Sequence, residues 1–350
     1  MVANTQIIFS KIPTTWPVIG EHITVNKTDF DLDAPLADGE FILKTLVLSV
    51  DPYMRGRMRD PTIVSYVPPF LVDEPMSGHT MKEVVKSKSS LFKEGDYVYG
   101  LGTHEEYAKL NDELAKAYGL VLRNEPKTNG IPVSNYVGIL GMPGMTAYVG
   151  LYKIGELKEG ETIYISAGKV KKRTSGAVGQ VAGQIAKAQG LRVIGSAGTD
   201  EKVAHLKEIG FDGAFNYKTE DTDQKLTELC PDGIDVYFEN VGGKMLEVVL
   251  QHINFFGRII ACGMISQYNL AESEKVGGLM TIVARSIRFQ GYIVSNSPEM
   301  EPQFLKDVTQ MILDKKIKYQ ETHTHGIENT PEALLDVLNG KNFGKQVVHA

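Results

Sequence analysis

The sequence predicts an α/β protein of two domains, one mostly β and one built on a parallel sheet, and three observations carry that expectation. Short strand candidates broken by Pro and Gly turns fill residues 1 to about 130. From about Val133, apolar strands alternate with helical stretches at intervals suited to a parallel sheet. Within that alternation one helix is punctuated by Gly176, Gly179 and Gly183 directly after a buried strand, as in a nucleotide-binding strand, turn and helix.

Taken in order, EHITVNKTDF, EFILKTLVLSV and GDYVYGLGTHEEYAKL are the strand candidates of the first domain. The second domain carries TIYISA, LRVIGSA, GAFNY, IDVYFEN, GRIIACG and IRFQGYIV. After Pro302 come an amphipathic helix, FLKDVTQMILDKK, then THTHGIEN, a short helix PEALLDVLNG and a last strand KQVVHA that is expected to return to the first domain. The expected division is therefore 1–130, 131–300 and a returning segment 301–350. In an open parallel sheet the ligand lies at the carboxyl ends of the strands, so Ser166, Ser196, Tyr217, Asn240, Cys262 and Tyr292 should ring one cleft.

Glycines at 176, 179 and 183 let the backbone approach a pyrophosphate and let the helix lie close on the sheet, while the helix start supplies free N–H groups. The next strand ends at Ser196 and Ala197, without the Asp or Glu that grips the ribose hydroxyl of NAD, and Lys202 follows. A carboxylate repels a 2′-phosphate and an ammonium attracts one, so NADPH is expected. Asp200 could reach the ribose, yet its place after Gly198-Thr199 suits a helix N-cap ahead of EKVAHLKEIG. Lys202 is equally consistent with a solvated helix lysine. Between Ala167 and Ser175 the chain carries GKVKKRT, too long for a compact G-x-G-x-x-G turn. Lys169, Lys171, Lys172 and Arg173 either add charge beside the phosphates or form a solvated loop.

With 350 residues and a formal charge of −6, the chain can bury two cores and has no general attraction for nucleic acid or acidic membranes. There is no repeat, no apolar run of spanning length and no N-terminal secretion signal, so a cytoplasmic protein is expected. The only cysteines, Cys230 and Cys262, build neither a disulfide framework nor a four-cysteine zinc site. Among eight histidines, His79 and the pair His323 and His325 come nearest to a ligand pattern, without a partner at ligand spacing, so no metal is expected. Cys262 is expected to be a small residue lining the sheet end, since no activating base stands near it.

The ordered motifs LSVDPYMRGRM, GILGMPGMTAYVGL, SGAVGQVAGQIAK, GSAGTDEKVAHLKEIGFD, DVYFENVGG, CGMISQYN, QGY and GKNFGKQVV resemble those of the zinc-independent medium-chain dehydrogenases/reductases. The resemblance is specifically to the NADPH-dependent alkenal double-bond reductases and prostaglandin reductases, and it runs over nearly the whole chain. GKVKKRT departs from that pattern. The resemblance implies a GroES-like β domain with a Rossmann domain, and an enzyme that reduces the carbon–carbon double bond of α,β-unsaturated ketones or aldehydes. It implies Lys202 and Tyr217 at the 2′-phosphate and Gly176, Ala177 and Val178 around the pyrophosphate. Asn240, Cys262, Tyr53 and Asn342 would line the nicotinamide half, with Tyr292 also at the cofactor. Tyr268 would be the proton donor to the enolate, and Tyr53, Tyr66 and Tyr268 would form the substrate pocket. Arg57 and Met54 stand near these positions in sequence.

Hydride addition to the β-carbon moves charge onto the carbonyl oxygen, which needs a donor; a phenol of ordinary pKa can serve at pH 7 without a metal. Two other functions stay in view, a quinone reductase of the same fold and a nucleotide-binding protein without catalysis. The partners expected are a small conjugated carbonyl substrate and a second copy of the chain, paired through SIRFQGYIV as an edge strand.

Overall fold

The computed structural model describes residues 1–166 and 176–350. Contacts divide the chain into two units, one of Met1–Gly141, Thr322–Val337 and Gln346–Ala350, the other of Met142–Glu321 and Leu338–Lys345. The helix Glu301–Leu313 therefore lies in the second unit, and the return to the first begins only at Thr322. GKVKKRT falls outside the described residues.

The first unit holds β1 (Val2–Phe9), β2 (Ile23–Phe30), β3 (Glu40–Ser49), β4 (Glu74–Pro75), β5 (Ser77–Ser87), β6 (Tyr97–Thr103), β7 (Tyr107–Asn111) and β8 (Val121–Leu122). The second holds β9 (Thr162–Ile165), β10 (Arg192–Ala197), β11 (Gly213–Asn216), β12 (Ile234–Glu239), β13 (Ile253–Ala261) and β14 (Arg288–Gly291), and the chain closes with β15 (Glu321–His325) and β16 (Lys345–His349).

In the first unit one sheet runs β15-β16-β3-β5-β6-β8 with β7 on β3, and a smaller one runs β2-β1-β4. β3 is central because its Phe41, Ile42, Leu43, Val47 and Leu48 are all buried. The stretch GDYVYGLGTHEEYAKL makes two strands, β6 and β7, because the chain turns between them and Glu106 returns its carbonyl to the Thr45 N–H at 2.8 Å. THTHGIEN contributes β15, a strand its polar composition hides.

The second unit is a six-stranded parallel sheet in the order β11-β10-β9-β12-β13-β14. Strand order reverses at β9, so the switch point lies between β9 and β12. All four residues of β9 are buried, as a strand covered on both faces requires. Its Tyr164 ring stacks on Phe215 and Tyr237, with centroids 6.1 and 5.4 Å away.

The helix Ala177–Ala188 packs on this sheet through a fit between glycine and phenylalanine. A Cβ on Gly183 would stand 2.1 Å from Phe211 Cζ, and one on Gly195 of β10 would stand 2.7 Å from the same ring. Gln180 and Gln184, one turn apart on that helix, each bond both backbone groups of a chain segment, at Gln320 and Lys318 respectively. The helix Met142–Val149 continues into a π-helical turn, Gly150–Gly155. There Gly150 makes room for Tyr292, whose hydroxyl would lie 2.5 Å from a Cβ at that position. The helix Asp200–Glu208 begins one residue earlier than the sequence suggested: Thr199 is the N-cap and Asp200 the first helical residue.

Candidate functional site

Every residue expected at the sheet's carboxyl edge is there. Ser196 is the last residue but one of β10, and Ser166, Tyr217, Asn240, Cys262 and Tyr292 each follow directly on β9, β11, β12, β13 and β14. Buried hydroxyls tie the central strands together. Tyr164 and Ser196 share a hydrogen bond of 2.7 Å, and the Tyr237 hydroxyl donates to Ser166 Oγ at 3.0 Å. Asn240 donates its carboxamide to the Ser166 carbonyl at 2.9 Å, which fixes the orientation of that side chain at the switch point. Behind it Glu239 is fully buried and accepts from the Val241 and Gly242 N–H groups. Burial raises its pKa against those bonds, and its other oxygen has no partner among the described residues.

The helix Ala177–Ala188 starts at Gly176 without a side-chain cap, so among the described residues its first-turn N–H groups, those of Ala177 and Val178 included, have no capping side chain at Gly176 and suit an anion. At the end of β10, Lys202 is not the solvated lysine that its place on a helix allowed. It is fully buried, its ammonium donates to the Asn342 carbonyl at 2.7 Å, and it lies 5.7 Å from the centre of the Phe343 ring. The structure thus brings Asn342 to Lys202, with the Asn342 Oδ1 buried and unpartnered among the described residues. Asp200 is held by the Asn216 carboxamide at 2.7 Å. Tyr217 is buried, with its hydroxyl 2.7 Å from where a Cβ on Gly198 would stand.

At the other side of the sheet a cavity of about 400 Å³ is lined by Ala261, Cys262, Met264, Gly291, Tyr292 and Asn296, among others. The Tyr292 hydroxyl donates to the Thr146 carbonyl at 2.7 Å. Burial pushes the Cys262 thiol up to about 12, which removes it as a nucleophile near neutral pH. Tyr268 closes the short helix Ile265–Gln267, and its hydroxyl comes within 3.1 Å of the position of a Cβ on Gly263, a residue of the cavity lining.

In the first unit Tyr53 caps a short helical turn, Met54–Arg57, and its hydroxyl is buried without a partner among the described residues. Its pKa is raised by burial and then by Asp51, while Arg57 opposes the shift and Tyr66 adds to it. Tyr53, Arg57 and Tyr66 therefore lie within electrostatic reach of one another, and Tyr66 is 59% exposed. Arg57 itself is buried and committed to the carbonyls of Pro68 and Ser77, and Met54 is fully buried. His79 stacks on Tyr99, and His323 and His325 both meet His349. No group of three or more His, Cys, Asp or Glu among the described residues could hold a metal ion.

Sequence reasoning missed Lys218, Thr199 and Glu239. Lys218 follows Tyr217 directly, so the end of β11 carried the signal, but nothing in sequence shows that it comes to Gly198. The uncapped helix start, the unpartnered Thr199 and Asn342 oxygens and the glycine-lined edge of the sheet fit a phosphate-bearing dinucleotide.

Residues 177–310 match the family described as zinc-binding dehydrogenase, and residues 6–117 match that described as N-terminal domain of oxidoreductase. The chain is 44% identical to a zinc-type alcohol dehydrogenase-like protein of Schizosaccharomyces pombe, covering 99% of each. It is 42% identical to the NADP(+)-dependent 2-alkenal reductase of Nicotiana tabacum, covering 99% of this chain and 97% of that one. The solved structure of CurA from Vibrio vulnificus in complex with NADPH superposes with a TM-score of 0.87 at 37% identity, covering 99% of each chain.

Proposed function

The chain belongs to the medium-chain dehydrogenases/reductases, in the group of NADPH-dependent alkenal and enone double-bond reductases, and we propose that it reduces the carbon–carbon double bond of α,β-unsaturated ketones or aldehydes with Tyr268 as proton donor. When bound, NADPH supplies the hydride; the protein supplies binding, orientation and a proton. Gly176, Ala177 and Val178 offer the uncapped helix start to the pyrophosphate. Asn240, Cys262 and Tyr292 shape the nicotinamide end, where a thiol with a pKa near 12 stays neutral and serves as an apolar wall. The unpartnered hydroxyl of Tyr53 and the amide oxygen of Asn342 support places for both at the cofactor. Tyr66, beside Tyr53 in electrostatic reach, supports an apolar wall for the substrate.

The observation that carries the role of Tyr268 is its hydroxyl beside Gly263, at the lining of the 400 Å³ cavity. As charge moves onto the substrate's carbonyl oxygen, a phenol in hydrogen-bond range stabilises it and passes on its proton. Incubation with NADPH and a simple enone should give the saturated ketone. Absence of NADPH-dependent turnover over several enones would sink the proposal, and a hydroquinone formed from a quinone with the enone untouched would favour the quinone reductase.

A homodimer through β14 is part of the same reading. Among the described residues β14 pairs with β13 alone and is largely exposed, and Leu279, Met280 and Val283 just before it are 50%, 74% and 72% exposed. Sedimentation as a monomer at micromolar concentration would reject it. Two unpaired cysteines, Cys230 and Cys262, support a reducing compartment, the cytoplasm. Among the described residues no helix is long and apolar enough to cross a membrane.

A further inference from the structure

At the end of β12 the chain turns through Asn240–Gly242, and Glu239 ties that turn from inside. One oxygen of its carboxyl group accepts from the Val241 N–H and, at 3.0 Å, from the Gly242 N–H. The other oxygen is buried without a partner among the described residues, and the whole side chain is enclosed. An acid in that state costs free energy that an apolar side chain of similar size does not. Packing alone therefore does not account for Glu239, whereas its acceptor oxygen does.

The loop that follows β13 hangs on this turn. The Glu239 carbonyl accepts from the Cys262 and Gly263 N–H groups at 3.0 and 3.1 Å, and the Asn240 carbonyl from the Ile265 N–H at 3.0 Å. The Val241 carbonyl accepts from the Ser266 N–H at 3.0 Å and from the Ser266 hydroxyl at 2.6 Å. Three successive carbonyls of one strand end thus hold residues 262–266. Gly242, with a left-handed φ of 76°, lets turn and loop meet, since a Cβ there would stand 2.8 Å from Met264 Cβ. Ile265 and Ser266 open the short helix Ile265–Gln267 that Tyr268 closes. The place of Tyr268 beside the cavity lining therefore follows from bonds whose acceptors Glu239 fixes.

We propose that Glu239 is a positioning residue for the proton donor: by holding the turn Asn240–Gly242 it sets the loop 262–268, and with it the Tyr268 hydroxyl, against the cavity. This rests on Tyr268 as proton donor. The test makes E239L and E239Q in the full chain, each with and without Y268F, and reads kcat and KM for a simple enone with NADPH. E239L strips both turn N–H groups of their acceptor. It should lower kcat about tenfold or more, the effect of a small misplacement of a reacting group, with KM changed by less than about threefold. In the Y268F background the same change should cost less than about twofold, because the hydroxyl it positions is gone. E239Q, whose amide oxygen accepts the same two N–H groups, should keep most of kcat. An equal fall of kcat with and without the Tyr268 hydroxyl overturns the proposal, since a general structural loss acts in both. If E239L fails to fold, Ser266→Ala cuts the 2.6 Å bond from the loop side, and the same cycle with Y268F decides.

Amide exchange without substrate tells the two readings apart. E239L should speed exchange over 262–268 and leave β10 as protected as before. Unchanged exchange in the loop, with Y268F slow, overturns the role of Glu239 and leaves Tyr268 as donor. A Y268F chain that keeps full kcat overturns the donor reading and the proposal with it.

Discussion

The ammonium of Lys202 donates to the carbonyl oxygen of Asn342 at 2.7 Å, joining a helix of the nucleotide-binding sheet to a segment 140 residues further along the chain. A buried ammonium is stable only where carbonyls or anions replace its water, so this bond is part of what lets Lys202 sit inside. Lys202→Ala removes the donor, orphans the carbonyl and leaves a void. It should cost about 1–3 kcal/mol in urea unfolding. A loss under about 0.5 kcal/mol would show that the segment is held by other contacts.

Gly183 should tolerate no side chain. Ala there would bring its Cβ within 2.1 Å of Phe211 Cζ, whereas at Gly179 the nearest atom, Ile165 Cγ2, would be an ordinary 3.5 Å away. Gly183→Ala is expected to destabilise by about 1–3 kcal/mol through overpacking. Gly179→Ala in the same helix should be neutral or stabilising by up to about 1 kcal/mol, since alanine is the better helix former. Equal effects at the two positions would contradict the packing described.

Tyr268→Phe keeps the ring and removes the proton. If the hydroxyl donates to the enolate, kcat for an enone should fall by about a hundredfold or more while KM changes little. A fall confined to KM would make Tyr268 a binding residue, with water as the proton source.

His104 is fully buried in the first unit with both ring nitrogens unpartnered among the described residues. Burial lowers its pKa from 6.5 to about 3, with Lys82 and then Arg57 adding to the effect. Because the folded value is the lower one, the unfolded chain takes up the proton first. Stability therefore falls as pH drops below 6.5 and the loss ends near 3. Within that window His104→Leu should flatten the pH dependence of unfolding by up to about 1.4 kcal/mol per pH unit. An unchanged slope would mean that His104 is protonated in the folded chain.

Much of the fold was legible because its signals are local. TIYI, RVIGSA and IDVYFE announce buried parallel strands by apolar runs alone, and the spacing of Gly176, Gly179 and Gly183 announces a helix pressed on a sheet. The carboxyl-edge residues followed from the same logic, since a strand's end is visible where its apolar run stops. β15 was hidden because ETHTH is polar and owes its strand to its partner β16.

The sequence by itself determined the α/β class, the order of the parallel strands' segments, the absence of an acid in the last residues of β10 and, through many ordered motifs, the family. Only the tertiary structure decided which cation stays in water and which is buried, that Asn216 holds Asp200, and that Phe211 fills the space at Gly183. Periodicity and strand ends are written along the chain within a few residues. The environment of a lysine depends on what arrives from far along the chain, here the carbonyl of Asn342 for Lys202.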